Sequence, residues 1–197
     1  PAHRSPPDGL VGFKADNGAV LNSSLNCVAG GSAVNAGARV SPTVLTDCPA
    51  VGDPLAGRAP PTAGSCDHTD LQVKDEVKTL DPGTYCGKTE ISGTSKVTLN
   101  PGTYIIKNGQ LLFAGQASVS GEGVSFFLTG SASAPMVFTT NTHISLTAPS
   151  SGAMAGLLFF EDRNIGVKLK HRITSNDARK LVGTIYLPVG DLIIDAR

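Results

Sequence analysis

The segment whose residue types and spacing come closest to a site is Val167-Lys168-Leu169-Lys170-His171-Arg172-Ile173. Side chains alternate along a strand, so Lys168, Lys170 and Arg172 would share one face and Val167, Leu169 and Ile173 the other. A row of cations would bind a polyanion such as an acidic polysaccharide or a phosphate-bearing polymer, with Arg179 and Lys180 close by. The same pattern has a plainer explanation: an edge strand that carries Lys and Arg to prevent pairing with another chain.

Other groups point to chemistry more weakly. Cys66-Asp67-His68-Thr69-Asp70 contains metal-ligating types, but neighbours on an extended chain point to opposite sides and converge poorly. Glu161-Asp162-Arg163 would suit a lyase or hydrolase acting on an acidic polysaccharide, which needs acids and a base on one groove. It reads more simply as a solvated corner with an Arg–carboxylate pair. Asp177, Asp191 and Asp195 show no spacing that suggests a dyad. The histidines (His3, His68, His143, His171) accompany no serine or cysteine in a triad pattern, and no phosphate-binding glycine loop occurs. No catalytic residue, metal or cofactor is therefore expected.

These groups must be positioned by a repeat. Leu80-Asp81-Pro82-Gly83-Thr84-Tyr85 returns as Leu99-Asn100-Pro101-Gly102-Thr103-Tyr104. A repeat of about 20 residues cannot bury an apolar face alone, so successive copies must stack. The Asp/Asn-Pro-Gly step predicts a type II turn, with Pro presetting φ and Gly supplying a positive one. Turn signals recur between short runs such as Val97-Thr98-Leu99, Leu111-Leu112-Phe113 and Val124–Leu128. The expected fold is all-β, a right-handed parallel β-helix with coils of about 20 residues; a β-sandwich is the alternative. Leu80 should then stack on Leu99 and Tyr85 on Tyr104. Residues 1–8 read as a disordered tail. Residues 9–197 read as one domain, with an irregular Pro-rich loop at 49–65. Ranks of Thr recurring on every coil, as an ice-binding face requires, are not visible in the sequence.

The coil length also orders the cysteines. Cys27 and Cys48 are 21 positions apart, and Cys66 and Cys86 are 20 apart, both close to one coil. Adjacent coils lie about 4.8 Å apart, within reach of a disulfide. These two pairs are expected, although Cys48–Cys66 also fits one coil. Disulfides in turn imply an oxidising compartment.

The 197 residues are 40% hydrophobic and only 16% charged, with 23 Gly, 13 Pro and no Trp. That composition suits strands and turns rather than helices. The formal net charge is zero, so no nucleic-acid partner is expected from global charge. No run of 18 apolar residues occurs, so membrane attachment is expected only through a segment outside this sequence.

The stretch LDPGTYCGKTEISGTSKVTLNPGTYIIKNGQLLFAGQASVSGEGVSFFLTG (Leu80–Gly130) resembles the secreted, Gly-rich region of TadG-like proteins, which are associated with bacterial tight-adherence (Flp/Tad) pili. Gly156–Arg163 and Leu181–Pro188 are similar to closing motifs of the same family, so the likeness spans about residues 65–190. It implies an exported protein of the bacterial envelope, extracellular, at the cell surface or in the periplasm. Pilus proteins, envelope proteins or surface glycans would be its partners. It carries over no catalytic residues. The expected role is a non-enzymatic structural or adhesive module. The alternatives are a polysaccharide-acting β-helix enzyme or a polyanion-binding module.

Overall fold

The structure, a computed structural model, describes residues 11–49 and 52–195. The tail expected at 1–8 lies outside them. Among the described residues every regular element is a strand, and every strand pairing is parallel. The fold is a β-solenoid, as the repeat predicts, and the sandwich alternative, with its antiparallel sheets, is excluded. The chain divides into two compact units, Pro1–Arg58 and Ala59–Arg197. From sequence, 9–197 reads as one domain with a loop at 49–65; the division falls inside that loop.

In the first unit, β1 (Val11–Ala15) pairs with β3 (Gly31–Val34), and β2 (Val20–Asn22) with β4 (Arg39–Ser41). Cys27 and Cys48 form a disulfide across one coil, with Cα atoms 6.0 Å apart.

The second unit winds through three faces per coil. The first coil holds β5 (His68–Thr69), β6 (Gln72–Lys74) and β7 (Val77–Leu80). The second holds β8 (Gly83–Cys86), β9 (Thr89–Ser92) and β10 (Lys96–Leu99). The third holds β11 (Gly102–Lys107), β12 (Leu111–Phe113) and β13 (Ser118–Glu122). The fourth holds β14 (Val124–Thr129), β15 (Val137–Phe138) and β16 (His143–Thr147). The fifth holds β17 (Leu157–Glu161), β18 (Lys170–Ile173) and β19 (Asp177–Val182), and the sixth β20 (Thr184–Tyr186) and β21 (Asp191–Ile194). Three parallel sheets result: β5-β8-β11-β14-β17-β20, β6-β9-β12-β15-β18-β21 and β7-β10-β13-β16-β19. Cys66 and Cys86 are bonded across the first two coils, with Cα atoms 5.6 Å apart.

Inward positions of the three sheets close one apolar core. A ladder of rings climbs it, with centroid steps of 5.8 Å from Tyr85 to Tyr104, 5.5 Å to Phe126 and 5.1 Å to Phe159, and the exposed His68 ring covers its first end, 4.7 Å from Tyr85. Such aromatic pairs contribute about 0.5–1.5 kcal/mol each beyond the area they bury.

The repeated phrase has a structural reason. The Tyr85 hydroxyl donates to the Asp81 carbonyl at 2.6 Å, and the Tyr104 hydroxyl lies 2.8 Å from the carbonyls of both Asn100 and Leu80. Each tyrosine thus fastens its own corner from inside. Leu80 faces Leu99 as expected, but Tyr104 is opposite Gly83, and Tyr85 opposite Ile106. The register slips by two residues at the corner, which preserves side-chain parity, so the two rings still meet. The expected type II turn is also corrected. Gly83 has no positive φ, and Gly102 has one of 142°, where a Cβ would run into the Pro82 ring.

Other corners share a second device, an acidic or amide side chain that caps the next coil. Asp75 Oδ1 accepts the Thr94 N–H at 2.8 Å and the Thr94 hydroxyl at 3.2 Å. Gly93, at φ 67°, leaves the space that Asp75 occupies. The backbone bond from Thr94, ahead of the hydroxyl bond, holds the Asp75 carboxyl below its ordinary value.

Coil length is not constant. Cross-coil bonds join residues 19 apart at Asp75–Thr94, 22 apart at Thr103–Ser125 and 34 apart at His143–Asp177. The first coils have the expected length, and the later ones grow by loops at the corners.

Candidate functional site

The most developed polar surface is the outer face of β7-β10-β13-β16-β19. Register places Thr79, Thr98, Ser120 and Ser145 side by side in one rank, with Lys180 next in line. A second rank runs Val77, Lys96, Ser118, His143 and Asp177. Parallel pairing without slippage across four strands sets both ranks, because equal positions of successive coils then stack at the strand spacing of about 4.8 Å. Two adjoining shallow clefts lie on this face and share Ser120 and Ser145. Together they form an open trough along the stack.

At one end of the trough His143 Nδ1 lies 2.6 Å from Asp177 Oδ2, with both side chains partly exposed. Local structure builds this pair. The Ser175 hydroxyl donates to the Thr142 carbonyl at 2.7 Å and accepts the Asp177 N–H at 3.1 Å, which fixes the start of β19 beside the start of β16. The register between β16 and β19 then shifts between His143 and Ser145. Such a bulge re-aims side chains, here turning Asp177 toward the ring. Lys180 Nζ is 3.5 Å from Glu122 Oε1 across the same trough. Among the described residues the Ser118, Ser120, Ser145 and Thr98 hydroxyls make no hydrogen bond to protein. They are free to donate and accept.

The basic segment is arranged differently from the trough. The alternation is as expected for most of it: Lys168, Lys170 and Arg172 are exposed, and Leu169 and Ile173 are buried. Val167 is 52% exposed and precedes the strand, so it does not share the apolar face. Lys168 is paired with Asp191 at 2.7 Å. Lys180 belongs to a different sheet from Lys170 and Arg172. The edge-strand explanation is corrected too, because β18 lies between β15 and β21.

The corner at Glu161 is not solvated. Glu161 occupies an inward position in line with Leu128 and is fully buried. His171, on the inward face of the basic segment, is fully buried as well. Its Nδ1 accepts the Met136 N–H at 3.0 Å, which leaves the ring proton on Nε2, 3.0 Å from Glu161 Oε1. Glu161 Oε2 accepts the N–H groups of Val189 at 3.0 Å and Gly190 at 2.8 Å. Burial pushes the Glu161 carboxyl up, but the bonds from His171, Gly190 and Val189 outweigh it and hold the group below its ordinary value. This satisfied network is buried and fastens the last corner. Arg163 lies 5.1 Å from the ring centroids of both Phe160 and Tyr186 and donates from Nε to the Tyr186 hydroxyl at 2.8 Å.

Cys66 is in a disulfide, and among the described residues no three His, Cys, Asp or Glu side chains cluster as metal ligands would. Among the described residues no helix is long and apolar enough to cross a membrane. The two disulfides are compatible with an extracellular or otherwise oxidising environment. No protein-family model, curated protein or solved structure matches the chain.

Proposed function

We propose that this protein is a non-enzymatic structural and adhesive module of the bacterial cell surface, linked to Tad-type pili, that holds surface glycans on the outer face of β7-β10-β13-β16-β19. The observation that carries the reading is the open trough, with uncommitted hydroxyls repeated from coil to coil. The disulfides, and the resemblance of residues 65–190 to TadG-like proteins, support its placement outside the cytoplasm. A repetitive rigid face suits adhesion, because weak contacts on successive coils add through effective concentration. The test is a glycan array probed with the oxidised protein, together with capture of isolated Tad pili. Retention of neither would overturn the reading.

A second reading has one observation in its favour. A histidine oriented by an aspartate at 2.6 Å is half of a hydrolytic arrangement, and serines line the same trough. Among the described residues no serine hydroxyl is hydrogen-bonded to His143, so the nucleophile is not assembled. Turnover of a uronic-acid polymer that disappears in His143→Gln would establish the enzyme in place of the adhesive module.

A further inference from the structure

We infer that the trough takes an uncharged, linear, polyhydroxylated chain, a neutral glycan, laid along the stack axis and crossing the strands at right angles. This rests on the adhesive reading above and narrows it to one ligand class, one face and one direction.

Charge selects the class. Asp177 is paired with His143, and Glu122 sits opposite Lys180. Among the described residues lining the two clefts, Lys180 is the one lysine or arginine, and it faces Glu122. A polyanion would gain little in the clefts, since Lys180 brings the Glu122 carboxylate with it. An uncharged polyol needs groups that both donate and accept, and the hydroxyls of the exposed Thr98 and Ser120 and the half-buried Ser145 do both.

Geometry selects the direction. Along a strand, outward side chains recur at every second residue, about 6.6–6.8 Å apart, while across strands they recur at about 4.8 Å. The shorter interval is close to the advance of one ring in an extended pyranose chain, so successive sugars would meet equivalent hydroxyls of successive coils. The chain would run from Thr79 past Thr98 and Ser120 to Ser145. It would end beside the His143 ring, which Asp177 holds by Nδ1, leaving Nε2 as a further hydrogen-bonding group.

The experiment is a solution titration of the oxidised protein with neutral linear oligosaccharides of increasing length, at low and high salt. A second arm uses an acidic polysaccharide. The variants are Thr98→Val/Ser120→Ala/Ser145→Ala and, on the other sheet, Lys170→Ala/Arg172→Ala. All five side chains point outward, and circular dichroism confirms folding. We expect affinity to rise with length up to about four or five sugars and to be unchanged by salt. It should fall at least about tenfold in the hydroxyl variant and hold in the basic one. Neutral-glycan binding that survives the hydroxyl variant overturns the assignment of the face. Binding of the acidic polymer alone, abolished by salt and by Lys170→Ala/Arg172→Ala, overturns the ligand class but leaves an adhesive module standing. Binding of neither polymer, with isolated pili still captured, likewise overturns this inference and spares the broader one.

Discussion

The Glu161 carboxylate and the His171 imidazole meet at 3.0 Å with neither side chain exposed, on two core positions ten residues apart. Their neighbours in rank are apolar: Leu128 lies opposite Glu161, and Leu192 opposite His171. A polar pair in such a place is tolerated because every lone pair and proton named above has a partner.

Acid should therefore loosen the fifth and sixth coils. Glu161 is held below its unfolded value of 4.5. A carboxyl depressed on folding contributes stability above its unfolded value, and that contribution is lost as pH falls through the folded one. Glu161→Gln should cost about 1–3 kcal/mol near neutral pH, because amide and imidazole then present one donor too many. Urea midpoints of the two proteins should converge as pH falls well below 4.5. Comparison with Glu161→Gln separates this group from other depressed carboxyls such as Glu90, whose cause is chiefly the bond from Lys88.

Gly190 should be intolerant of any side chain. A Cβ there would sit 2.6 Å from Glu161 Oε1 and 2.9 Å from His171 Nε2. Gly190→Ala should lower stability by about 1–3 kcal/mol through crowding. Hydrogen exchange should show the loss concentrated in β20 and β21, with the first three coils retained.

Peptide mapping without reduction should recover Cys27–Cys48 and Cys66–Cys86 and no Cys48–Cys66 peptide. Replacing Cys66 and Cys86 together by Ser should cost about 3 kcal/mol, the expected effect of releasing a closed loop of this length. Thermal melts with and without reductant check the size. A Cys48–Cys66 product would break the coil register.

Tyr104→Phe should destabilise the third coil by about 1 kcal/mol by removing the hydroxyl shared between two carbonyls. The phenols should also resist alkali. Burial first, then the charges of Asp81 and Asp67, push Tyr85 up to about 12, and burial raises Tyr104 as well. A group raised on folding contributes stability below its unfolded value of 10.0, and that contribution is lost as pH rises through the folded one. Absorbance titration should show these tyrosinates appearing only with alkaline unfolding.

Sequence carried the fold well and the site poorly, for identifiable reasons. The twice-used Leu-x-Pro-Gly-Thr-Tyr phrase and the two cysteine intervals report one coil each, so solenoid and disulfides were both legible. Parity within a strand was legible too, since Lys168, Lys170 and Arg172 do face out. The same parity puts His171 inward, and its partner Glu161 could have been suspected there, because it directly continues the apolar run Leu157–Phe160. The His143–Asp177 pair was not legible. It joins residues 34 apart, where the coil has swollen at its corners and a bulge has shifted the register. The mixed Thr79–Thr98–Ser120–Ser145 rank was hidden by the same unequal spacing, which only strand pairing resolves.

The swollen corners carry a consequence for how this molecule can change. Between β16 and β17 the chain leaves the sheets and returns, and Ser150, Ser151 and Gly152 stand exposed at the excursion's tip while Met154 anchors its base. Length added at such a tip displaces no rung, since pairing is set by the strands on either side. The solenoid thus separates a rigid ruler from freely extensible tabs. Descendants of this chain could lengthen the tabs and leave the ruler's graduation untouched.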